Sequence, residues 1–125
     1  MRTLAAVALW SGRVLAVGCF LFWGTFFVEH VREWFLHPAR GLPPPWVWLL
    51  QLAHAAMLVG LLLLLRWEVP GGLLTIVAAL VFFGGAAGRN LLLFFGFSGA
   101  TILPVVLVAL GRWLLHRAIS PPATP

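Results

Sequence analysis

Long apolar runs fill most of this chain, and short polar segments separate them. The four runs cover residues 14–28, 46–65, 71–87 and 91–110. A hydrocarbon core about 30 Å thick needs about 20 helical residues to cross it. The second and fourth runs meet that length, the third falls at the short end of the range, and the first reaches it with flanking residues. We therefore predict helices that span a membrane at about 13–34, 46–65, 70–88 and 91–111.

The segments between the runs have the composition of turns. Residues 37–45 contain four prolines, residues 66–72 form a short polar turn, and residues 84–90 are rich in glycine. Connections this short place consecutive helices side by side and antiparallel, which predicts an all-α, up-down-up-down four-helix bundle. Residues 1–12 are expected to form either an interfacial helix or an extension of the first span. Pro104 is expected to kink the fourth helix.

Composition sets the class of the protein. Hydrophobic residues make up 62% of the chain and charged residues 9%, whereas about a quarter of a soluble domain is charged. Four helices leave no room for a soluble domain, so residues 1–117 are predicted to form one integral membrane domain, with a disordered tail at 118–125. The lone Cys19 excludes an intramolecular disulfide.

The arginines give the orientation. Five of them flank the predicted spans on the side of the termini, and three lie on the other side. The positive-inside rule then places both termini in the cytoplasm, with the protein in the plasma (inner) membrane of a bacterium. The arginines are spread singly, so a nucleic-acid surface is excluded, and the expected partners are the lipid bilayer and its anionic headgroups.

Polar side chains gather at the outer ends of the first two spans, where they form a candidate site. Its members are Glu29, His30, Glu33, His37, Gln51 and His54. If the first helix continues to His37, then His30, Glu33 and His37 share one face at a spacing that divalent metals accept. The favoured interpretation is an interfacial network instead, in which Glu29 or Glu33 pairs with an arginine (Arg32, Arg40 or Arg89). No cofactor is expected.

His54 is the deepest titratable side chain. It lies eight residues beyond Trp46, about 12 Å along the second helix. Together with Gln51 it is expected to face Glu29 or His30 and to form an interhelical hydrogen bond, worth about 0.6 kcal/mol on average in a membrane. A haem or chlorophyll ligand, a quinone contact and a proton relay remain open.

A polar turn at the inner end joins the second and third helices. It consists of Arg66, Trp67, Glu68, Pro70, Gly71 and Gly72, with Pro70 in the first turn of the third helix. The turn is interpreted as a helix cap and a headgroup anchor. Pairs of small residues four apart, such as Gly60 with Ala56, are expected to allow close helix packing within the bundle.

The segments at 27–35, 44–54 and 65–72 resemble small bacterial membrane proteins of uncharacterised four-helix families. The Arg-Trp-Glu-x-x-Gly-Gly turn at 66–72 carries the sharpest part of that resemblance. There is also a general architectural likeness to DoxX-type proteins, which is an analogy. The resemblance implies a fold and a location, and no activity.

The function is therefore expected to be structural or accessory, in the membrane or in a larger membrane complex with other protein subunits, and not enzymatic. The first alternative is a component of a metal-, haem- or quinone-linked oxidoreductase that uses the outer His and Glu side chains. The second is a small transporter or a proton pathway through Glu29 and His54.

Overall fold

The computed structural model describes residues 1–37 and 41–119, and over these residues it is helical without any strand. Helix α1 covers Arg2–Val31 and continues as one turn of π-helix at Arg32–Leu36. Helix α2 covers Pro45–Leu63, α3 covers Glu68–Ala86 and α4 covers Leu91–Ile119. By length and composition alone, all four are able to cross a membrane.

The predicted bounds of α2 and α3 agree with the structure to within two residues. Prolines precede α2, whose first residue is Pro45, and the polar residues Arg66 and Arg89 lie just outside α3. At the end of α3, Gly88 adopts a left-handed conformation (φ 58°), which is a common way to close a helix. The Asn90 side chain then accepts a hydrogen bond from the amide of Leu93 and caps α4.

The outer two helices are longer than predicted. The segment at 1–12 is a direct extension of α1, and α4 continues through Pro104 to Ile119. The predicted disordered tail was therefore placed too early, since Ala118 and Ile119 are helical; its remaining residues lie outside the described part of the chain. These extensions pack on each other, because a Cβ added to Gly111 would lie 2.8 Å from the backbone nitrogen of Leu9.

The helices form an antiparallel ring in chain order. Helix α1 packs most extensively on α4, and α2 on α3, while α3 with α4 and α1 with α2 complete the ring. We call the end of the bundle where α1 and α3 begin and α2 and α4 finish the Glu68 end. The opposite end is called the His30 end. Side chains meet across the middle, where the rings of Trp23 and Phe83 lie 4.8 Å apart.

Small residues set the close contacts between helices. A Cβ added to Gly60 of α2 would lie 2.6 Å from Oγ1 and 2.7 Å from the backbone nitrogen of Thr75 on α3. Gly71 on α3 likewise lies against the backbone of Leu63 and Leu64. Backbone contacts this short require glycine. The prediction that small residues allow close helix packing is therefore confirmed at Gly60.

The interior contains two apolar clusters, and the outside is apolar as well. Trp23, Met57 and Phe83 belong to the cluster nearer the His30 end, and Leu61 and Val108 to the one nearer the Glu68 end. Large apolar side chains on the outer surface of every helix are more than half exposed; examples are Val14, Leu52, Val77 and Phe95. A soluble monomer rarely exposes so continuous an apolar surface.

Candidate functional site

His54 occupies the centre of the bundle and is fully buried. Its Nε2 lies 3.0 Å from the carbonyl oxygen of Trp23 on α1. A carbonyl only accepts, so Nε2 carries the proton and Nδ1 is left with a lone pair. That Nδ1 is buried and has no hydrogen-bond partner within the part of the chain that the structure describes.

A second buried hydrogen bond joins the same tryptophan to α4. The indole Nε1–H of Trp23 donates to Thr101 Oγ1 at 2.9 Å, and the Thr101 hydroxyl donates in turn to the carbonyl of Phe97 at 2.8 Å. Trp23 therefore links α2, through His54, with α4, through Thr101.

Aromatic rings enclose His54. The ring of Phe82 lies 4.3 Å away and that of Phe27 lies 5.3 Å away, centre to centre. The ring of His30 lies 6.1 Å away, and its Nδ1 donates to the carbonyl of Phe26 at 2.7 Å. Gln51 on α2 bonds the backbone of α1, as His54 does: its Nε2 donates to the carbonyl of Phe27 at 3.4 Å.

The other members of the outer cluster are not brought together. The α-helix gives way to a π-turn at Arg32, and His37 has left helical geometry, so the shared face of His30, Glu33 and His37 is lost. Within residues 1–37 and 41–119, no group of three or more His, Cys, Asp or Glu side chains is placed to hold a metal ion. Glu29 and Glu33 are exposed.

Neither Glu29 nor Glu33 has an ion-pair partner among the described residues. The pairing predicted for them with Arg32 or Arg89 is thus not formed, because these side chains extend outwards. The third arginine proposed for it, Arg40, lies outside the described residues.

Among the residues that the structure describes, the ion pairs lie at the opposite end of the bundle, around Glu68. One carboxylate oxygen accepts from Nη2 of Arg13 at 3.1 Å, and the other accepts from Nε of Arg112 at 2.5 Å. Glu68 thus ties the start of α3 to both α1 and α4, with two positive charges against one negative. Arg66 and Trp67 are exposed. Trp67 occupies the N-cap position of α3, but its side chain makes no capping hydrogen bond.

Pro104 leaves a carbonyl free in α4, and Cys19 lies beside it. Proline has no N–H to bond the carbonyl of Ala100 four residues earlier. The Cys19 Sγ lies 3.8 Å from that oxygen, a distance suited to a weak S–H donor. Ser98 Oγ is buried and has no hydrogen-bond partner among the described residues.

Sequence reasoning singled out His54, Gln51 and Glu68 but missed Trp23, Thr101, Arg13 and Arg112 as their partners. One signal was present for the ionic contacts. Glu68 is the sole carboxylate on the side of the chain that carries five arginines, so it was the natural partner for them. Thr101 lies three residues before Pro104, but no pattern in the sequence marks it as the partner of Trp23.

Comparisons with known proteins add no relative. The chain matches no family model, no curated protein and no solved structure at a significant level. The resemblance to uncharacterised four-helix membrane families accordingly stays a prediction.

Proposed function

We propose that this protein is an integral membrane protein of the bacterial inner membrane, with both termini in the cytoplasm. Its four helices cross the bilayer, and it acts as a structural or accessory component of the membrane or of a larger membrane complex.

The membrane assignment rests on the distribution of polar and apolar side chains. Every helix exposes large apolar side chains outwards, while the buried His54 and Thr101 each form a hydrogen bond with Trp23 of another helix. In lipid the hydrophobic effect does not hold helices together, and close small-residue contacts and interhelical hydrogen bonds do so instead. The bundle has both kinds of contact.

The accessory role is supported by backbone that is left open on the α1–α4 side. Cβ atoms added to Gly18, Gly96 or Gly99 would meet nothing within 4 Å. Cys19 on α1 contacts Ala100 on α4, so Gly18 and Gly99 flank the same seam between these helices. Small outward residues at a seam allow a further transmembrane helix to approach closely.

Cysteine labelling in intact cells tests insertion and orientation. In a Cys19→Ala background, Asn90→Cys reports on the His30 end and Ile119→Cys on the Glu68 end. We expect a membrane-impermeant maleimide to label the cysteine at 90 in intact cells and that at 119 only after lysis. Release of the protein by alkaline carbonate would refute insertion, and the reverse labelling pattern would refute the orientation.

Photo-crosslinking in native membranes tests the accessory role. A photoreactive residue at Gly99 is compared with one at Leu73, an exposed position on α3. We expect one discrete protein adduct from position 99 and none from position 73. If both positions crosslink only lipid, the accessory role in a protein complex is wrong and a role in the membrane alone remains.

The unpartnered Nδ1 of His54 favours one second candidate, a metal- or haem-linked oxidoreductase component. A neutral imidazole with a free lone pair is the form that binds a metal. Metal analysis and an optical spectrum of the protein purified from membranes test this, with His54→Gln as the control. This candidate requires a ligand signal that disappears in His54→Gln; wild-type protein without metal or chromophore would remove it.

A further inference from the structure

An apolar groove runs along the outside of the bundle between α3 and α4, and it ends at Glu68 and Arg112. Its volume is about 250 Å³. Its wall is apolar and includes Leu64, Gly72, Leu73, Ile76, Val105 and Ala109. From Glu68 to Ile76 the groove covers nine residues of α3, which are eight helical steps or about 12 Å along the helix axis.

The dimensions of the groove fit part of one hydrocarbon chain. A methylene group occupies roughly the volume of a water molecule in the liquid, about 30 Å³. The groove therefore accommodates on the order of eight methylene groups in single file, directed from the Glu68 end towards the middle of the bundle. Exposed Leu73 and Ala109 leave its side open to the surroundings.

The charged end of the groove carries a positive excess. Glu68 is shared by Arg13 and Arg112, so the three groups sum to one positive charge. Arg112 uses Nε for Glu68, and its terminal nitrogens have no hydrogen-bond partner among residues 1–37 and 41–119. Its side chain is 57% exposed, so these donors are accessible next to the mouth of the groove.

We propose that this groove is a binding site for one anionic phospholipid. An acyl chain lies along α3 and α4, and the phosphate accepts hydrogen bonds from the terminal nitrogens of Arg112. The inference rests on the proposed membrane location. The apolar wall does not discriminate among lipids, since all of them carry acyl chains, so the preference comes from the headgroup charge.

Native mass spectrometry of the purified protein in detergent tests the site. The protein is mixed with equal amounts of phosphatidylglycerol and phosphatidylcholine that carry the same chains. We expect the first bound lipid to be phosphatidylglycerol by about fivefold, the preference that one arginine near anionic lipid gives. Arg112→Gln should remove that preference, and Arg112→Lys should keep most of it.

Two control variants separate the site from general surface effects. Arg89→Gln removes an exposed arginine at the His30 end and should keep the preference. Ala109→Phe fills the groove and should lower the occupancy of both lipids, whereas Ala6→Phe, at an exposed position on α1, should not. Helicity and thermal unfolding of each variant show that the fold is kept.

The proposal is overturned by equal binding of the two lipids, by an equal loss in Arg89→Gln, or by unchanged occupancy in Ala109→Phe. These outcomes are distinguishable from failure of the membrane assignment. Release of the chain by carbonate would refute the membrane location, whereas normal insertion without headgroup preference would refute the lipid site alone.

Discussion

Replacement of Gly60 by alanine tests the close contact between α2 and α3. The added Cβ would lie 2.6 Å from Thr75 Oγ1, 2.7 Å from its backbone nitrogen and 3.0 Å from its Cα. Two of these three atoms are backbone, so no change of rotamer relieves the contact and the helices must move apart. Overpacking of this kind costs about 1–3 kcal/mol.

Gly18→Ala is the matched control. It adds the same atom to a helix at a position where nothing lies within 4 Å. Both substitutions gain helix propensity, about 1 kcal/mol for glycine to alanine, so that gain largely cancels when the two are compared. The difference between them isolates the packing cost, and we expect Gly60→Ala to be less stable than Gly18→Ala by about 1–3 kcal/mol.

Reversible unfolding by SDS in mixed micelles, followed by helicity and tryptophan fluorescence, measures both variants against the wild type. Equal free energies of unfolding for the two variants would refute the reasoning, because they would show that α2 and α3 are not held at the distance described. A higher stability for Gly60→Ala would refute it as well.

Further substitutions test the polar contacts in the same unfolding assay. Thr101→Val removes the acceptor of the Trp23 indole and should lower the free energy of unfolding by about 0.6–1.7 kcal/mol. Thr25→Val is the control, because this exposed hydroxyl bonds its own helix, and it should lower the free energy of unfolding less. Equal losses would contradict an interhelical role for Thr101. Glu68→Gln should cost about 1 kcal/mol and reduce the salt dependence of stability, since the ion pairs are partly exposed. Glu33→Gln, without an ion pair, should change neither quantity, and a matching loss there would contradict the role of Glu68.

The fold was predictable because the run lengths and the turn composition determine it almost alone. Prolines mark the start of the α2–α3 hairpin, and glycines followed by Arg89 mark its end, so its predicted bounds were close. The outer helices were underestimated because residues 1–12 and 112–119 contain no proline and continue as helix, while the prediction placed the inner bound of each span at or next to an arginine. The length of these helices depends on their contact with each other, which a single sequence does not display.

The site was less predictable for a geometrical reason. The depth of His54 and its proximity to α1 follow from helical rise and from neighbouring helices in the chain. The contact of Trp23 with Thr101 depends on how α1 and α4 are rotated about their axes, and these helices are the farthest apart in sequence. The π-turn at 32–36, which separates Glu33 and His37 from His30, also has no clear sequence signal.

The unequal lengths of the helices have a consequence for the proposed membrane location. At 1.5 Å per residue, the 19 residues of α2 or α3 measure about 28 Å, close to the hydrocarbon thickness, whereas the 30 residues of α1 measure about 45 Å. At the level where Arg13 meets Glu68, α2 and α3 have turned back, while α1 and α4 continue with Trp10 and Trp113. The α2–α3 side of the bundle is therefore shorter along the helix axes than the α1–α4 side. In the proposed membrane location, a bilayer matched to α2 and α3 leaves the ends of α1 and α4 projecting through the headgroup layer, so the matching bilayer thickness differs between the α2–α3 side and the α1–α4 side.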